Sequence, residues 1–273
     1  MTREHEVPTQ LLHQARKRFG QNFLHDQQVI QRIVKAIQPR EDDALVEIGP
    51  GMGALTEHLI KGCPSMKVVE LDRDLVPGLR TQFFNYPQFQ VIEADALKFD
   101  FASLQGPLRV VGNLPYNIST PLIFHLLSFR QHIHDMTFML QKEVVERLAA
   151  KPGSGDYGRL SVMVQYYAKV HSLFLVGPGA FRPAPKVWSA IVRIEPYETL
   201  PFKARNEDHL EMLVRQAFSQ RRKTLRNVIK SLLNEGQIRD LGIDPGIRPE
   251  RLGIADFIRL SDAYTESMAP AIE

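Results

Sequence analysis

The sequence has a single cysteine among its 273 residues and no long apolar run. Cys63 can form no disulfide within the chain and no cysteine metal cluster, and this scarcity of thiols indicates a reducing compartment. No stretch approaches the ~18 uncharged apolar residues that a membrane-spanning helix needs. The N-terminal MTREHEVPTQ also lacks the apolar segment of a secretory signal. We therefore expect a soluble, cytoplasmic protein without a metal centre or membrane contact.

The chain also lacks a strong excess of either charge, because 34 Lys and Arg face 31 Asp and Glu. The distribution is more informative. Residues 212–230 hold six Lys or Arg and no acid, and residues 16–18 read Arg-Lys-Arg. Clustered positive charge is typical of nucleic-acid binding, although a single charge run is more often a solvated helix face. Both interpretations stay open for the basic residues Arg221, Arg222, Lys223, Arg226 and Lys230.

Short apolar strands alternate with helical patterns through most of the chain. Strands are predicted over 44–48, 67–71, 90–93 and 108–112, and later over 135–140, 170–176 and 187–194. Helices are predicted over 27–38, with Asp26 as its cap, and over 53–62 and 74–84. This alternation predicts an α/β fold with a doubly wound parallel sheet. The continuous apolar runs fit strands that are covered on both faces.

The composition changes at residues 195–206, where two prolines and no periodicity indicate a linker. Only helical patterns follow it. We therefore predict a first domain over residues 1–200 and a small α-helical domain over 201–273. In the second domain, Asp208 with Glu211 resembles a capping box.

The spacing of the basic residues in the second domain predicts a charged helix face. Arg222, Arg226 and Lys230 are four residues apart, so a continuous helix would place them on one side. We expect this side to contact a nucleic-acid backbone.

A glycine-rich loop, E-I-G-P-G-M-G-A-L-T at residues 47–56, follows the first of these strands. Gly49 and Gly51 allow a tight turn and the close approach of a ligand. Glu70 ends the second strand, where a carboxylate can accept hydrogen bonds from both ribose hydroxyls of a nucleoside. Strand, loop and acid together predict a nucleoside cofactor site.

Two cofactors fit this loop, because Gly49, Gly51 and Ala54 also satisfy a relaxed dinucleotide pattern. Glu47 favours S-adenosylmethionine, since a carboxylate repels a pyrophosphate but attracts an ammonium and a sulfonium. Asp95, after the third strand, is a candidate acceptor for the adenine amino group, and its alternative role is a helix cap. Ligands bind at the carboxyl ends of parallel strands, which is where these acids lie.

The fourth strand runs into Asn113-Leu114-Pro115-Tyr116. The simplest interpretation is a strand-to-helix turn in which Asn113 bonds its own backbone. The alternative is catalytic: the Asn113 side chain and the Leu114 carbonyl accept hydrogen bonds from an exocyclic amine, and Tyr116 stacks on its base. Phe181, in A-F-R-P-A-P-K-V, is either a second stacking ring or a side chain packed under its loop.

Taken together, these motifs resemble the KsgA-type small-subunit ribosomal RNA adenine dimethyltransferases. The matching stretches, in the order of that family, are R-K-R-F-G-Q-N-F-L (16–24), E-I-G-P-G-M-G-A-L-T (47–56), V-V-E-L-D-R-D-L (68–75), E-A-D-A (93–96), G-N-L-P-Y-N-I-S-T-P (112–121), F-R-P-A-P-K-V (181–187) and Q-R-R-K-T-L-R-N (220–227). As a set they are highly specific, whereas N-L-P-Y alone indicates only amino methylation.

The resemblance implies a Rossmann-like, seven-stranded class I methyltransferase sheet with a C-terminal helical domain that docks RNA. It implies dimethylation of two adjacent adenosines in the 3′-terminal hairpin of 16S rRNA, within a pre-30S particle, and we expect a monomer. It also assigns Asn22 and Leu24 to the S-adenosylmethionine pocket as a lid. Trp188 departs from the family, where similar sequences commonly have a smaller or polar residue.

Three alternatives compete with this interpretation. One is an amino methyltransferase for another nucleic acid, such as 23S rRNA or DNA. Another is a ribosome-assembly factor that acts by binding alone, although the intact Glu47, Glu70, Asp95 and Asn113 argue against lost catalysis. The last is a nicotinamide oxidoreductase, in which the N-L-P-Y turn would have no role.

Overall fold

Seven strands form one mixed sheet in the computed structural model, which describes residues 22–268. Within these residues there are nine strands, seven in this sheet and two in a separate pair: β1 (Phe23–Leu24), β2 (Ala44–Ile48), β3 (Lys67–Glu70), β4 (Gln90–Glu93), β5 (Leu108–Asn113), β6 (Ile133–Gln141), β7 (Ala168–Val176), β8 (Phe181–Arg182) and β9 (Ser189–Pro196). Their order across the large sheet is β4-β3-β2-β5-β6-β9-β7, and β1 pairs only with β8. The predicted α/β class is confirmed.

The pairing directions explain where a ligand can enter. Strands β2 to β6 are mutually parallel, and β9 is antiparallel to both β6 and β7. The chain builds outward from β2 through β3 and β4, and then continues on the other side of β2 with β5. Such a reversal opens a crevice at the carboxyl ends of the two central strands.

Ten α-helices occur among residues 22–268. They are α1 (Gln27–Ile37), α2 (Thr56–Leu59), α3 (Val76–Gln82), α4 (Ser119–Ser128), α5 (Lys142–Ala149), α6 (Arg159–Tyr167), α7 (Glu207–Ala217), α8 (Leu225–Val228), α9 (Glu235–Asp240) and α10 (Ile254–Met268). The predicted cap of α1 is confirmed, because the Asp26 carboxylate accepts the N–H groups of Gln28 and Val29 at 2.9 and 3.1 Å. No helix within the described range is long and apolar enough to cross a membrane.

The apolar strands carry one hydrophobic core on each face of the sheet. Successive side chains of a strand point to opposite faces, and the neighbours Val110 and Val111 of β5 accordingly enter different clusters. Val110 packs with Phe138 on one face, and Val111 packs with Met139 on the other. This double burial is why β5 reads as a continuous apolar run.

The C-terminal helices build a third core of their own. Leu210 and Leu213 of α7 pack in the same cluster as Phe257 of α10, together with Val162 and Tyr166 of α6. The helical unit is therefore anchored on α6, which precedes the predicted linker. The division at residue 200 stays a prediction.

Two predictions for this unit are wrong. The cap of α7 is Asn206, whose side chain accepts the His209 N–H at 3.1 Å, so Asp208 and Glu211 form no capping box. The helix face expected to carry Arg222, Arg226 and Lys230 is also not formed. The chain turns after Ala217, and only Leu225–Val228 is helical in this stretch.

A tertiary contact explains the broken helix. The Leu225 N–H donates to the Ile247 carbonyl at 2.8 Å, and the Arg226 N–H donates to the Pro245 carbonyl at 3.1 Å. These bonds replace the helical ones that a continuous pattern would make. Arg222, Arg226 and Lys230 are all exposed, but they do not share a helix face.

The Arg109 side chain links several elements near the amino ends of the central parallel strands, opposite the crevice. Its guanidinium donates to Asp135 at 3.1 and 3.0 Å and to Asp43 at 2.6 Å. It also donates to the carbonyls of Ile37 and Gln38 at the end of α1. One side chain therefore joins β5, β6 and the C-terminus of α1.

We predict that Arg109→Met lowers the free energy of unfolding by about 3–5 kcal/mol, because it leaves two largely buried carboxylates without their cation. Urea denaturation measures the change. The matched control is Arg73→Met, which breaks the exposed 2.8 Å ion pair with Glu93 and should cost at most about 1 kcal/mol. Equal effects of the two substitutions would contradict the role given to Arg109.

Candidate active site

A cavity of about 420 Å³ lies at the carboxyl edge of the sheet, where β2 and β5 are neighbours. Its walls bring together the acids predicted from the sequence, Glu47, Glu70 and Asp95, with Asn113 of β5. They also include the predicted Asn22, Leu24, Gly49, Gly51, Leu114 and Tyr116. The strand ends therefore converge on one site.

The glycine loop turns in backbone conformations that favour glycine. Gly49 and Gly51 have φ of 65° and 60°, in the left-handed region that costs other residues energy. A side chain at Gly51 would also lie 3.3 Å from the ring of Phe23. The loop can therefore pass close to both β1 and the cavity only with glycine at this position.

Glu70 is held in place by backbone donors. One carboxylate oxygen accepts the Asp72 N–H at 2.8 Å, and the other accepts the Gly51 N–H at 3.3 Å. Burial raises the pKa of the Glu70 carboxyl, and these N–H bonds oppose that shift. The carboxylate is thus fixed at the end of β3 beside the glycine loop, where it can accept hydrogen bonds from hydroxyl groups.

Glu47 is the most deeply buried acid of the site, with 1% of its surface exposed. Burial is the main reason that its pKa rises to about 7, and the charge of Glu70 adds to the shift. The hydroxyl of Thr56 donates to it at 2.6 Å and acts in the opposite direction. Its charge therefore changes near neutral pH, and a cationic ligand would favour the ionised form.

Asp95 combines both of the roles considered for it. One of its oxygens, Oδ1, accepts the Leu97 N–H at 3.0 Å, which is a local capping bond. The residue also lines the cavity, so its second oxygen is available as an acceptor for an amino group.

Asn113 is oriented by its own amide nitrogen. This Nδ2 donates to the Asn22 carbonyl at 3.2 Å, so the side-chain oxygen is the atom that can accept a bond in the cavity. The N–H of the next residue, Leu114, donates to the Met139 carbonyl at 3.2 Å. These two bonds fix the strand end against β6 and the segment before β1.

Tyr116 reaches from this turn to the start of β9. Its hydroxyl lies 2.8 Å from the Ser189 hydroxyl, and burial raises the pKa of the phenol. The ring is anchored, uncharged at neutral pH and part of the cavity wall. It offers an aromatic surface to a planar ligand.

Phe181 does not line the cavity. Only 2% of its surface is exposed, because β8 pairs with β1 and turns this side chain into the core. Of the two interpretations offered by the sequence, packing is the one observed in the structure, and a second stacking ring at this position stays a prediction. Phe181 pairs in register with Leu24 and so holds the segment of β1 at the cavity wall.

Three residues of the site were missed in the sequence. Thr56 bonds Glu47, Ser189 bonds Tyr116 from 73 positions away, and Leu71, half exposed, forms part of the cavity wall. Thr56 lies inside the glycine-loop motif, but its residue type gave no reason to single it out. Ser189 carried no local signal, because its partner is distant in sequence.

This strand order, with a nucleoside-sized cavity lined by acids at the switch point, defines a Rossmann-like class I methyltransferase. A family model described as ribosomal RNA adenine dimethylase matches residues 12–266. The chain belongs to the ribosomal RNA adenine dimethylase family, and its cofactor is S-adenosylmethionine. The resemblance seen in the sequence is confirmed, and the oxidoreductase alternative is excluded.

Individual relatives agree with this assignment. A protein of Hahella chejuensis named Ribosomal RNA small subunit methyltransferase A is 66% identical, over 92% of this chain and 93% of its own. The protein of that name from Marinobacter nauticus is 60% identical, over 93% of each chain.

Two solved structures share the fold over nearly their whole length. A dimethyladenosine transferase from Plasmodium falciparum is 28% identical with a TM-score of 0.74, over 87% of this chain and 95% of its own. The 23S rRNA methyltransferase ErmE is 25% identical with a TM-score of 0.71, over 89% of this chain and 100% of its own.

The side chains of the cavity fit this cofactor. S-adenosylmethionine carries two ribose hydroxyls, two amino groups and a sulfonium but no phosphate, and the predicted acids Glu47, Glu70 and Asp95 in the cavity wall are acceptors suited to such groups. A dinucleotide would place its pyrophosphate beside Glu47, which burial makes an unfavourable neighbour for an anion.

We predict that the affinity for S-adenosylmethionine rises as the pH increases through about 7. Glu47 loses its proton in this range, and only the ionised form attracts the positive charge of the cofactor. Calorimetry between about pH 5.5 and 7.5 should show that this affinity falls by up to about tenfold for each pH unit below about 7. A flat profile would contradict this role.

Variants at Glu47 and Thr56 provide the controls. Glu47→Gln should flatten the profile. Thr56→Val should move the midpoint of the profile upward, because the hydroxyl that it removes lowers the pKa of Glu47, whereas Thr56→Ser should not.

The pH dependence of the free energy of unfolding without cofactor has the opposite sign. A carboxyl whose pKa is raised from 4.5 to about 7 on folding stabilises the fold at low pH. That contribution is lost as the pH rises through 7.

Proposed function

We propose that this protein dimethylates N6 of two adjacent adenosines in the 3′-terminal hairpin of 16S rRNA during assembly of the small ribosomal subunit. The observation that carries the proposal is the turn from Asn113 to Tyr116. It presents two carbonyl oxygens and an aromatic ring at the edge of the cofactor cavity. The small-subunit names of the relatives support 16S rRNA as the substrate.

The cofactor supplies an electrophilic methyl group, so the main task of the protein is to position the attacking nitrogen. The lone pair of an adenine amino group is delocalised into the ring. The side-chain oxygen of Asn113 and the carbonyl of Leu114 accept hydrogen bonds from its two N–H groups in the first methylation, and one of them accepts from the remaining N–H in the second. Within residues 22–268 no other group donates to the Leu114 carbonyl. These bonds draw the nitrogen toward a tetrahedral geometry and direct its lone pair at the methyl group.

Tyr116 supplies the surface against which the target base lies. Extruding a base from its stack costs a few kcal/mol, and stacking on one aromatic ring returns about 1–3 kcal/mol. The bond to Ser189 keeps the ring in place before the RNA arrives. Less conformational entropy is then lost when the base binds.

We assign the cofactor groups to the acids in the order in which the strands deliver them. Glu47 faces the ammonium of the methionine end, Glu70 accepts both ribose hydroxyls, and Asp95 accepts the adenine amino group. The remaining cofactor contacts come from Asn22, Leu24, Gly49, Gly51 and Asn113, which line the same cavity.

Asn113→Ala is predicted to lower the methylation rate on the order of 10²–10³-fold, by analogy with the loss of one oxyanion-hole donor. The interaction acts chiefly in the transition state, so the rate should fall much more than the affinity for RNA or for the cofactor, which keeps its contacts with Glu47, Glu70 and Asp95. Single-turnover methylation and calorimetry separate the two effects. The matched control is Asn85→Ala, on an exposed loop. An Asn113→Ala rate within twofold of wild type removes this residue from the mechanism.

The choice of RNA requires its own experiment, because ErmE, a similar structure, is a 23S rRNA methyltransferase. Purified protein is incubated with S-adenosylmethionine and with unmethylated 16S or 23S rRNA, free or in particles. Mass spectrometry should find dimethyladenosine only in the 3′-terminal fragment of 16S rRNA. Methylated 23S rRNA would support the rival substrate, and tight binding without methylation would support an assembly factor. We propose that a monomer acts on pre-30S particles in the cytoplasm.

We propose that five basic residues of the helical unit, Arg221, Arg222, Lys223, Arg226 and Lys230, dock the RNA backbone. All five are exposed, but two already have partners. Arg221 donates to the Gly155 carbonyl at 2.7 Å, and Arg226 lies 3.2 Å from Glu235. The other three form no ion pair with any described residue, so they are the strongest candidates for phosphate contacts. The Arg-Lys-Arg cluster at 16–18 lies outside the described residues.

Replacing Arg222, Lys223 and Lys230 together by Ala is predicted to flatten the slope of log K against log salt by about 2–3, if each neutralises one phosphate. Cofactor affinity should stay the same, because the cavity lies on the other domain. A salt titration of RNA binding measures the slope.

The matched control removes three exposed cations from the first domain, Lys35, Lys61 and Arg80. This variant has the same net charge as the test variant, so a general charge effect would flatten both slopes equally. Equal slopes for the two variants would contradict the proposal that Arg222, Lys223 and Lys230 contact RNA phosphates.

A further inference from the structure

Trp188 is an exposed aromatic side chain at the same edge of the sheet as the cavity. It is the only tryptophan in the sequence, and 52% of its surface is exposed. Its carbonyl accepts the Lys142 N–H at 2.9 Å. The indole lies over Gly177, where an added Cβ would be 3.6 Å from the ring. The residue is therefore fixed through its backbone while much of its ring faces solvent.

The position of Trp188 relative to the site follows from the strand register. Its neighbour Ser189 begins β9, pairs with Gln141 at the carboxyl end of β6, and bonds the hydroxyl of Tyr116. Strand β6 lies between β9 and β5, which ends at Asn113. Two strand spacings are about 10 Å. Trp188 is thus within reach of the nucleotides that flank a base held at Tyr116.

The segment around Trp188 carries the charge that an RNA strand requires. Residues 177–188 contain Arg182 and Lys186 and no acid. Both side chains are exposed, and neither forms an ion pair within the described part of the chain. Basic groups beside an exposed aromatic ring are the combination with which proteins bind single-stranded nucleic acid.

We propose that Trp188 stacks on an rRNA base next to the target adenosine. Tyr116 and Trp188 then hold two successive unstacked bases, and Trp188 supplies the second aromatic surface that the buried Phe181 does not. This inference rests on the proposed function, because it requires a target adenosine drawn from an RNA loop.

The single tryptophan makes the contact directly measurable. The protein is titrated with a hairpin that carries the 3′-terminal loop of 16S rRNA, and with the same hairpin bearing abasic loop nucleotides. Fluorescence anisotropy of labelled RNA establishes saturation. Stacking predicts that the intact hairpin quenches the Trp188 emission and that the abasic hairpin does not. Equal emission changes with both hairpins at saturation would overturn the proposal.

Kinetics provide a second, independent test. Trp188→Ala should raise KM for unmethylated pre-30S particles about 5- to 150-fold, the range expected from the loss of one stacked base. Trp188→Phe keeps an aromatic ring and should recover most of the loss. Phe84→Ala is the matched control, because this aromatic side chain is 73% exposed on the first domain. Cofactor affinity should be the same in all three variants.

The outcomes separate this inference from the proposed function. If the wild-type protein methylates 16S rRNA but Trp188→Ala leaves KM unchanged, the stacking contact is wrong and the function stands. If cofactor affinity falls as much as RNA affinity, Trp188 acts through packing, and the proposal fails. A wild-type protein that does not methylate 16S rRNA overturns both.

Discussion

Parallel pairing of β2 with both β3 and β5 is the constraint on which the site depends. It brings the carboxyl ends of these strands to one edge, with Glu47, Glu70 and Asn113 on three neighbouring strands. The reversal of strand order at β2 opens the crevice between them. The hydrogen bond from Asn113 to the Asn22 carbonyl then joins two parts of the cavity wall and orients the amide. Cofactor and acceptor sites therefore follow from a single strand arrangement.

The cavity also brings several carboxylates close together, which by itself destabilises the folded protein. Burying carboxylates costs free energy unless they are hydrogen-bonded, and each acid receives different support. Glu70 and Asp95 accept backbone N–H groups, whereas Glu47 accepts a single hydroxyl and has its pKa raised to about 7. The least supported acid is the one assigned to the cationic end of the cofactor. The positive charge of the ligand can stabilise the ionised Glu47 carboxylate, for which the protein provides only one hydrogen bond.

Local patterns predicted the strands and the acids. The apolar run that marks a buried parallel strand and the acid at its carboxyl end are close together in sequence, so a short window contains both. The strand over 187–194 was found two residues later, at Ser189–Pro196. Predictions failed where distant contacts decide. Pairing of β8 with β1 buries Phe181, and the bond from Leu225 to Ile247 interrupts the helix expected through Arg222, Arg226 and Lys230. The Tyr116–Ser189 bond had no local signal for the same reason.

We infer that Glu47, Glu70, Asp95 and Asn113 surround one S-adenosyl nucleoside. A crystal structure with bound S-adenosylhomocysteine tests it most directly. We expect both ribose hydroxyls within about 3 Å of the Glu70 carboxylate, the adenine amino group at Asp95, and the sulfur facing the turn at Asn113. A nucleoside bound elsewhere, or one whose ribose does not contact Glu70, would contradict the account.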